Sequence, residues 1–329
     1  MEKRKITIED VAAALNVSTT TVSRAISGKG RVGEATKKRV LEYIEKNHFV
    51  PSVMAKGLAQ SKTYNIGLTM PEDSSFAELP FFQQCMAGVC ECAGKVDYDV
   101  VITMTSFDDN SQLERLIRNQ KVDGVIVSRT LTNGGPVPVL KKAGIPFVAI
   151  GASEDNSVVR VDNDHKAACH ELTATLIRKG IKRIALLCGD PTHMVSKSRL
   201  EGFAEAMSEA KLEEDMLIYE ADNEEKTEAG IQKALDEKAE CIICMDDFIC
   251  MKVFDILKKK HIKVPADIKV ASFYSSSILE RNTPTVTSLM FDAHKTGEVA
   301  CSTLLDLIED KEVKNSLLSY RISMGESTE

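Results

Sequence analysis

At 329 residues with 43% hydrophobic side chains, the chain is long enough for two or three folding units with real cores, and no apolar run approaches the length needed to cross a bilayer. The opening MEKRKITIED carries charges without a following apolar segment, so no secretory signal is expected and a cytoplasmic protein is predicted, its nine Cys reduced thiols rather than a disulfide framework. The net charge of −7 disfavours nucleic acid only on average: residues 1–63 hold 12 Lys/Arg against 6 Asp/Glu and the remainder is 13 negative, so a basic head can gain phosphate affinity by counterion release while an acidic body is repelled from a duplex.

The first element in the chain is a helix in which Ile8, Val11, Ala12 and Leu15 share one face, begun by Thr7 with Asp10 three residues on. Asn16 and Val17 make a turn, and Ser18 caps a second helix to about Ile26 that packs with Val22, Ala25 and Ile26. Its outward face carries Thr19, Thr20, Ser23, Arg24 and Ser27, short hydroxyls and one guanidinium with no acid. Such a face can approach phosphates and base edges closely, and Arg24 alone on it can give two parallel bonds to guanine. The loop GKGRVGEA leads to a third helix from Glu34 to about Asn47, with Val40, Leu41 and Ile44 inward and Lys37, Lys38 and Arg39 outward. Next comes PSVMAKGLAQSKT, where Val53 to Leu58 offer under two turns of helix, marginal in water alone. Gly57 inside it costs a further ~1 kcal/mol relative to Ala.

From Asn65 the pattern becomes alternating strands and helices. IGLTM, DVVITM, GVIVS, PFVAIG and VVRVD are strand-like, and a second series follows with RIALLCG, MLIYE, CIICMD and IKVASFY. Strict alternation predicts α/β lobes, doubly wound parallel sheets with helices on both faces, and a cleft between them at the carboxyl ends of strands. TVTSLMF, a long helix from about Asp292 to Asp310 and one last strand LLSYRISM complete the chain.

TIEDVAAALNVSTTTVSRAIS resembles the helix-turn-helix signature of the lactose/galactose repressor (LacI/GalR) family, and PFFQQCMAGV, VDGVIV, GIPFVAIG, VDND, RLEGFAEAM, VPADIKVASF and TPTVTSL extend the resemblance along the body. The body phrases alone are shared with periplasmic sugar-binding proteins. The resemblance implies a small all-α DNA-binding head in residues 1–48, a hinge helix and linker in 49–63, a first lobe in 64–163 plus 292–312, and a second lobe in 164–291 plus 313–329. It implies that Thr19, Thr20 and Arg24 read bases, that Thr7, Ser18, Thr21 and Ser23 bind phosphate, and that Ala55 and the wedge Leu58 enter the minor groove of a near-palindromic DNA operator. For the effector, a small molecule and most simply a sugar, it implies contacts from Phe81, Phe82, Thr130, Asp162, His193, Arg199, Asn223, Asp247 and Tyr274. The implied protein is a transcriptional regulator, a repressor, working without cofactor or membrane.

One departure stands out. Many members of the family have Gly-Tyr-Asp after a sheet strand, its Asp in the effector site, where this chain has Ser272, Phe273 and Tyr274. Members resembling maltose-operon repressors also lack that acid, which suggests a glucoside or malto-oligosaccharide and leaves a phosphorylated sugar or a nucleobase open. The ending MGESTE has no heptads of the kind that assemble family tetramers, so a homodimer is expected. A cytosolic enzyme or sugar-binding protein is the rival, but neither a G-x-G-x-x-G nor a G-x-x-x-x-G-K-[ST] motif occurs. Cys241 and Cys244 sit inside a buried-looking strand and read as core thiols, while His170 is rotated from His165 and Cys169 on its helix, which disfavours a metal.

Overall fold

The computed structural model describes residues 6–27, 31–47, 57, 60–72 and 80–329, in two units that meet between Tyr64 and Asn65. The hinge positions Ala55 and Leu58 lie outside the described residues.

In the first unit, α1 (Ile8–Leu15), α2 (Thr19–Ser27) and α3 (Glu34–Asn47) close around Val11, Ala12, Val22, Ala25 and Val40. A capping box starts α1: the Asp10 N–H donates to Thr7 Oγ1 over 3.4 Å, and the Thr7 N–H donates to Asp10 Oδ2 over 2.9 Å. Asn16 ends α1 in the left-handed region at φ 53°, and Ser18 Oγ takes the Thr21 N–H at 3.1 Å to start α2. Leu41, expected inward, is 44% exposed; Ile44 packs on the core as expected, joined by Tyr43. With Val40 as the buried anchor, same-face positions fall at i+3 and i+4, while i+1 is rotated by roughly 100°.

The second unit runs β1 (Asn65–Pro71), α4 (Pro80–Gly94), β2 (Asp99–Thr105), α5 (Ser111–Arg118), β3 (Gly124–Val127), α6 (Pro136–Ala143), β4 (Phe147–Ile150) and β5 (Arg160–Asp162). It continues with α7 (His165–Arg178), β6 (Ile184–Cys188), α8 (Met194–Glu209), β7 (Met216–Glu220), α9 (Glu224–Asp236), β8 (Cys241–Cys244), α10 (Asp247–Lys259) and β9 (Lys269–Ser272). The last elements are β10 (Thr287–Phe291), α11 (Ala293–Ile308), β11 (Ser316–Leu317) and β12 (Tyr320–Ser323). One sheet has the order β11-β5-β4-β3-β1-β2 and the other β12-β10-β9-β8-β6-β7, so the two lobes repeat one topology. Neighbours are parallel except β10 and β12. Strands such as GVIV and CIIC are buried along their whole length, as a sheet covered on both faces requires, and Cys241 and Cys244 are core thiols there.

The terminal segment corrects an expectation. Residues 313–329 do not form one strand of the second lobe: β11 pairs with β5 in the first sheet, and only β12 reaches the second. Leu318 and Ser319 carry the chain across, so LLSYRISM is split between sheets. The chain thus passes between lobes after β5, after β10 and after β11. The first two passages are tied together by Thr296 Oγ1 donating to Asn163 Oδ1 over 3.1 Å, both residues buried. In the first lobe α4 and α11 touch backbone to backbone: a Cβ on Gly88 would stand 2.0 Å from the His294 carbonyl oxygen, and one on Gly297 2.0 Å from that of Cys85.

Candidate functional site

On α2 of the first unit, Thr19, Thr20, Ser23 and Arg24 are exposed, and the helix has no acid in its first turn. The hydroxyls of Thr7, Ser18 and Thr21 are committed locally, Thr7 to Asp10 and Ser18 to Thr21 at 2.9 Å, so the expected phosphate contacts double as the caps that set the helix ends. Arg39, on α3, donates to the Leu15 carbonyl oxygen over 3.2 Å and locks the end of α1.

In the second unit, a cluster forms where strands of both sheets end. Phe81 packs edge-on against Phe82 at 5.4 Å and Tyr274 at 6.0 Å, and Tyr274 stacks on Phe291 at 6.3 Å. Arg199, 7% exposed, lies 5.9 Å over the Tyr274 ring and donates from Nη1 to the Met245 carbonyl oxygen over 2.6 Å. Burial and the neighbouring guanidinium hold His165 well below the ordinary imidazole range, so its neutral Nδ1 accepts from Arg199 Nε at 3.5 Å. Asp247, the first residue of α10, is buried. Its Oδ1 accepts the Phe248 N–H at 3.0 Å, while Oδ2 has no partner among the described residues. Burial pushes its carboxyl up to about 6, against the pull of the Ser276 hydroxyl and Arg199. Asp162, at the end of β5, is also raised by burial and feels the charge of Arg199. Burial raises the Tyr274 phenol, which therefore remains a neutral hydrogen-bonding group.

The fold thus brings Phe81, Phe82, Arg199, Asp247 and Tyr274 together, with Asp162 in electrostatic reach. The other expected contacts are placed differently. Thr130 donates its hydroxyl to the Ala152 carbonyl oxygen over 2.6 Å, which removes it as a side-chain donor to a ligand. Asn223 is exposed and uses its side-chain oxygen to cap α9, accepting from the Lys226 N–H at 2.9 Å. His193 faces Asp190 at 3.6 Å and lines a separate cavity of about 230 Å³. Leu131 forms an isolated β-bridge with His193, flanked by Thr132 N–H to Thr192 O at 2.8 Å and Met194 N–H to Thr130 O at 3.1 Å, which joins the lobes here.

Sequence reasoning missed His165 and Phe291, which back Arg199 and Tyr274, and also Phe107 and Arg129. All but His165 sit at or just beyond the carboxyl end of a strand, the position where α/β folds bind ligands, and that rule could have found them. His165 and Cys169 lie buried in the core while His170 pairs with Glu209 at 2.9 Å, and no group of three His, Cys, Asp or Glu side chains suited to a metal occurs among the described residues. No helix among them is long and apolar enough to cross a membrane.

Residues 7–52 match the bacterial regulatory proteins of the lacI family, and residues 173–328 match a periplasmic binding protein-like domain. The HTH-type transcriptional regulator MalR of Streptococcus pneumoniae is 31% identical over 96% of each chain. Among solved structures, the transcriptional regulator CelR in complex with cellobiose is 25% identical with a TM-score of 0.71, covering 98% of this chain and 99% of its own. The lac repressor dimer bound to operator and the anti-inducer ONPF shares the fold at a TM-score of 0.81 and 20% identity over 99% of both chains. With a capped helix pair whose second helix shows bare hydroxyls and Arg24, and a two-lobed body that gathers buried polar groups at its strand ends, the chain belongs to the LacI family of DNA-binding transcriptional regulators.

Proposed function

We propose that the protein is a cytoplasmic repressor that binds a near-palindromic operator as a homodimer and is controlled by a neutral glucoside or malto-oligosaccharide held between the lobes. Thr19, Thr20 and Arg24 read bases, Thr7, Ser18, Thr21 and Ser23 contact phosphates, and Ala55 and Leu58 enter the minor groove. The names of relatives point the same way, one a MalR and another a CelR–cellobiose complex.

The observation that carries the effector reading is the Arg199, Asp247 and Tyr274 cluster, where a buried carboxylate oxygen lacks a partner beside an aromatic wall. A sugar satisfies both, donating a hydroxyl to Asp247 while its C–H face lies on Phe81 or Tyr274. Arg199 already serves Met245 and His165 and has two carboxyls in reach, a balance that suits uncharged hydroxyls better than phosphate. Calorimetry with maltose, cellobiose, glucose and glucose 6-phosphate, paired with gel shifts on a palindromic operator, tests this. A neutral sugar that binds and changes operator affinity is expected; response to the phosphate alone overturns the ligand class.

A further inference from the structure

We infer that Cys92 and Cys301 close a reversible disulfide across the seam between α4 and α11 when hydrogen peroxide reaches them, and that this bond alters operator binding. The pairing is set by helix register. Gly88 and Gly297 mark the crossing, where a Cβ on Gly88 would also stand 3.0 Å from the Glu298 backbone nitrogen. Cys92 and Cys301 each follow their glycine at i+4, just over one turn along the same face of the helix. The two sulfurs meet there, Cys301 donating its S–H to Cys92 Sγ. Cys90, two positions before Cys92, is turned to solvent, and residues at that spacing do not face one another on a helix.

The two thiols are unequal, and the inequality sets their order of reaction. Cys301 is fully buried, and burial holds its thiol far above the ordinary range, so the proton stays on it. Cys92 is half-buried and is the sulfur that meets an oxidant. Lys295 lies close enough to interact with a Cys92 thiolate, and the nearby acids have cations of their own, Glu298 with Lys295 at 2.8 Å and Glu91 facing His294 at 3.3 Å. The Cys92 thiolate attacks one peroxide oxygen; the O–O bond breaks, a sulfenic acid forms, and the other oxygen leaves as water with the proton Cys92 gave up. Cys301 then attacks the Cys92 sulfur, the S–O bond breaks, and the departing hydroxide takes the Cys301 proton as a second water. The two sulfurs are oxidised by two electrons in all and the peroxide is reduced by the same two. Cellular thiols reverse the bond by exchange, as suits a sensing disulfide in a reducing compartment.

Both tied helices end at contacts between the lobes. α4 begins at Phe81, which packs on Tyr274 of the second lobe, and α11 carries Thr296, whose hydroxyl bonds Asn163 where the chain crosses. The backbones already touch at the glycines, so the helices can draw the sulfurs together only by turning about that crossing, and the turn is felt at Phe81 and Thr296. A bond that fits one lobe arrangement better than the other shifts the balance between them.

The test uses full-length protein treated with hydrogen peroxide and then with dithiothreitol. Peroxide should lower the intact mass by about 2 Da, the two hydrogens lost, and a non-reducing peptide map should join Cys92 to Cys301. Anisotropy on a labelled palindromic operator selected with the reduced protein should change in affinity by about five-fold or more and return with dithiothreitol. Cys92→Ser, at a half-buried site that tolerates a hydroxyl, should abolish both the cross-link and the shift, and Cys90→Ser should keep both. No cross-link, a cross-link through Cys85 or Cys90, unchanged operator affinity in the cross-linked protein, or an equal shift in Cys92→Ser overturns the inference.

Discussion

Arg199 donates Nε–H to His165 Nδ1 at 3.5 Å, and this places a neutral imidazole, not a second cation, behind the only buried guanidinium among the described residues. Arg199→Ala should leave operator binding without effector nearly unchanged and abolish the response to effector, because the groups it aligns lie in the body and not on α2. Anisotropy titrations on labelled operator, with and without the best sugar, read both quantities. A retained response would move the effector away from this cluster.

The Asp247 carboxyl gives a pH dependence with a definite sign. Its folded value of about 6 lies above the 3.8 of an ordinary aspartate, so between these the folded state holds a proton that the unfolded state has lost, and stability falls as pH rises through that window. A ligand hydroxyl donating to Oδ2 favours the carboxylate and reverses part of this cost. Effector affinity should therefore rise by about ten-fold from pH 5 to pH 7 and level off above. In Asp247→Asn calorimetry should find the profile flat.

On the DNA side, Arg24 is exposed on a helix face of short hydroxyls. Arg24→Ala should lose ~1–3 kcal/mol on the preferred operator and relax preference at one base pair per half-site. An equal loss on every sequence in a competition gel shift would assign it to phosphate. Effector binding should not change.

Gly57 carries a prediction opposite to the one its helix propensity suggests. Alanine there would favour a helix by ~1 kcal/mol. Yet a Cβ at Gly57 would stand 2.4 Å from the Lys62 carbonyl oxygen, while the Lys62 N–H bonds the Gly57 carbonyl at 3.0 Å. Backbone must shift to admit the methyl. Gly57→Ala should therefore fail to tighten operator binding; a several-fold gain in affinity would show that the turn yields at no cost.

Much of this architecture is legible in residue order because local signals and fold agree. Thr7 with Asp10, the left-handed Asn16 and Ser18 announce the helix pair through hydrogen bonds spanning three or four residues. The strand runs announce buried parallel sheets. What could not be read depends on distant partners. LLSYRISM looks like one strand because apolar spacing says nothing of which sheet each half joins. Asn223 and Thr130 carry the right chemistry for a ligand, but a cap and a carbonyl claim them. Leu41 and Phe107 break the rule that large apolar residues go inside, and only the built surface shows which exposed one faces a cavity.

The three passages between lobes leave β5, β10 and β11, and these strands and their partner β12 stand at or next to the same edge of each sheet. Covalent threads at one edge act as the pins of a door, while the bonds from Thr132 to Thr192 and from Met194 to Thr130 act as its latch. Swinging the door open breaks these two backbone hydrogen bonds, at about 1–3 kcal/mol, and also parts Lys197 from Glu154 and Phe81 from Tyr274 across the lobes. The backbone part of the latch is by itself the size of coupling typical between an effector and a distant site.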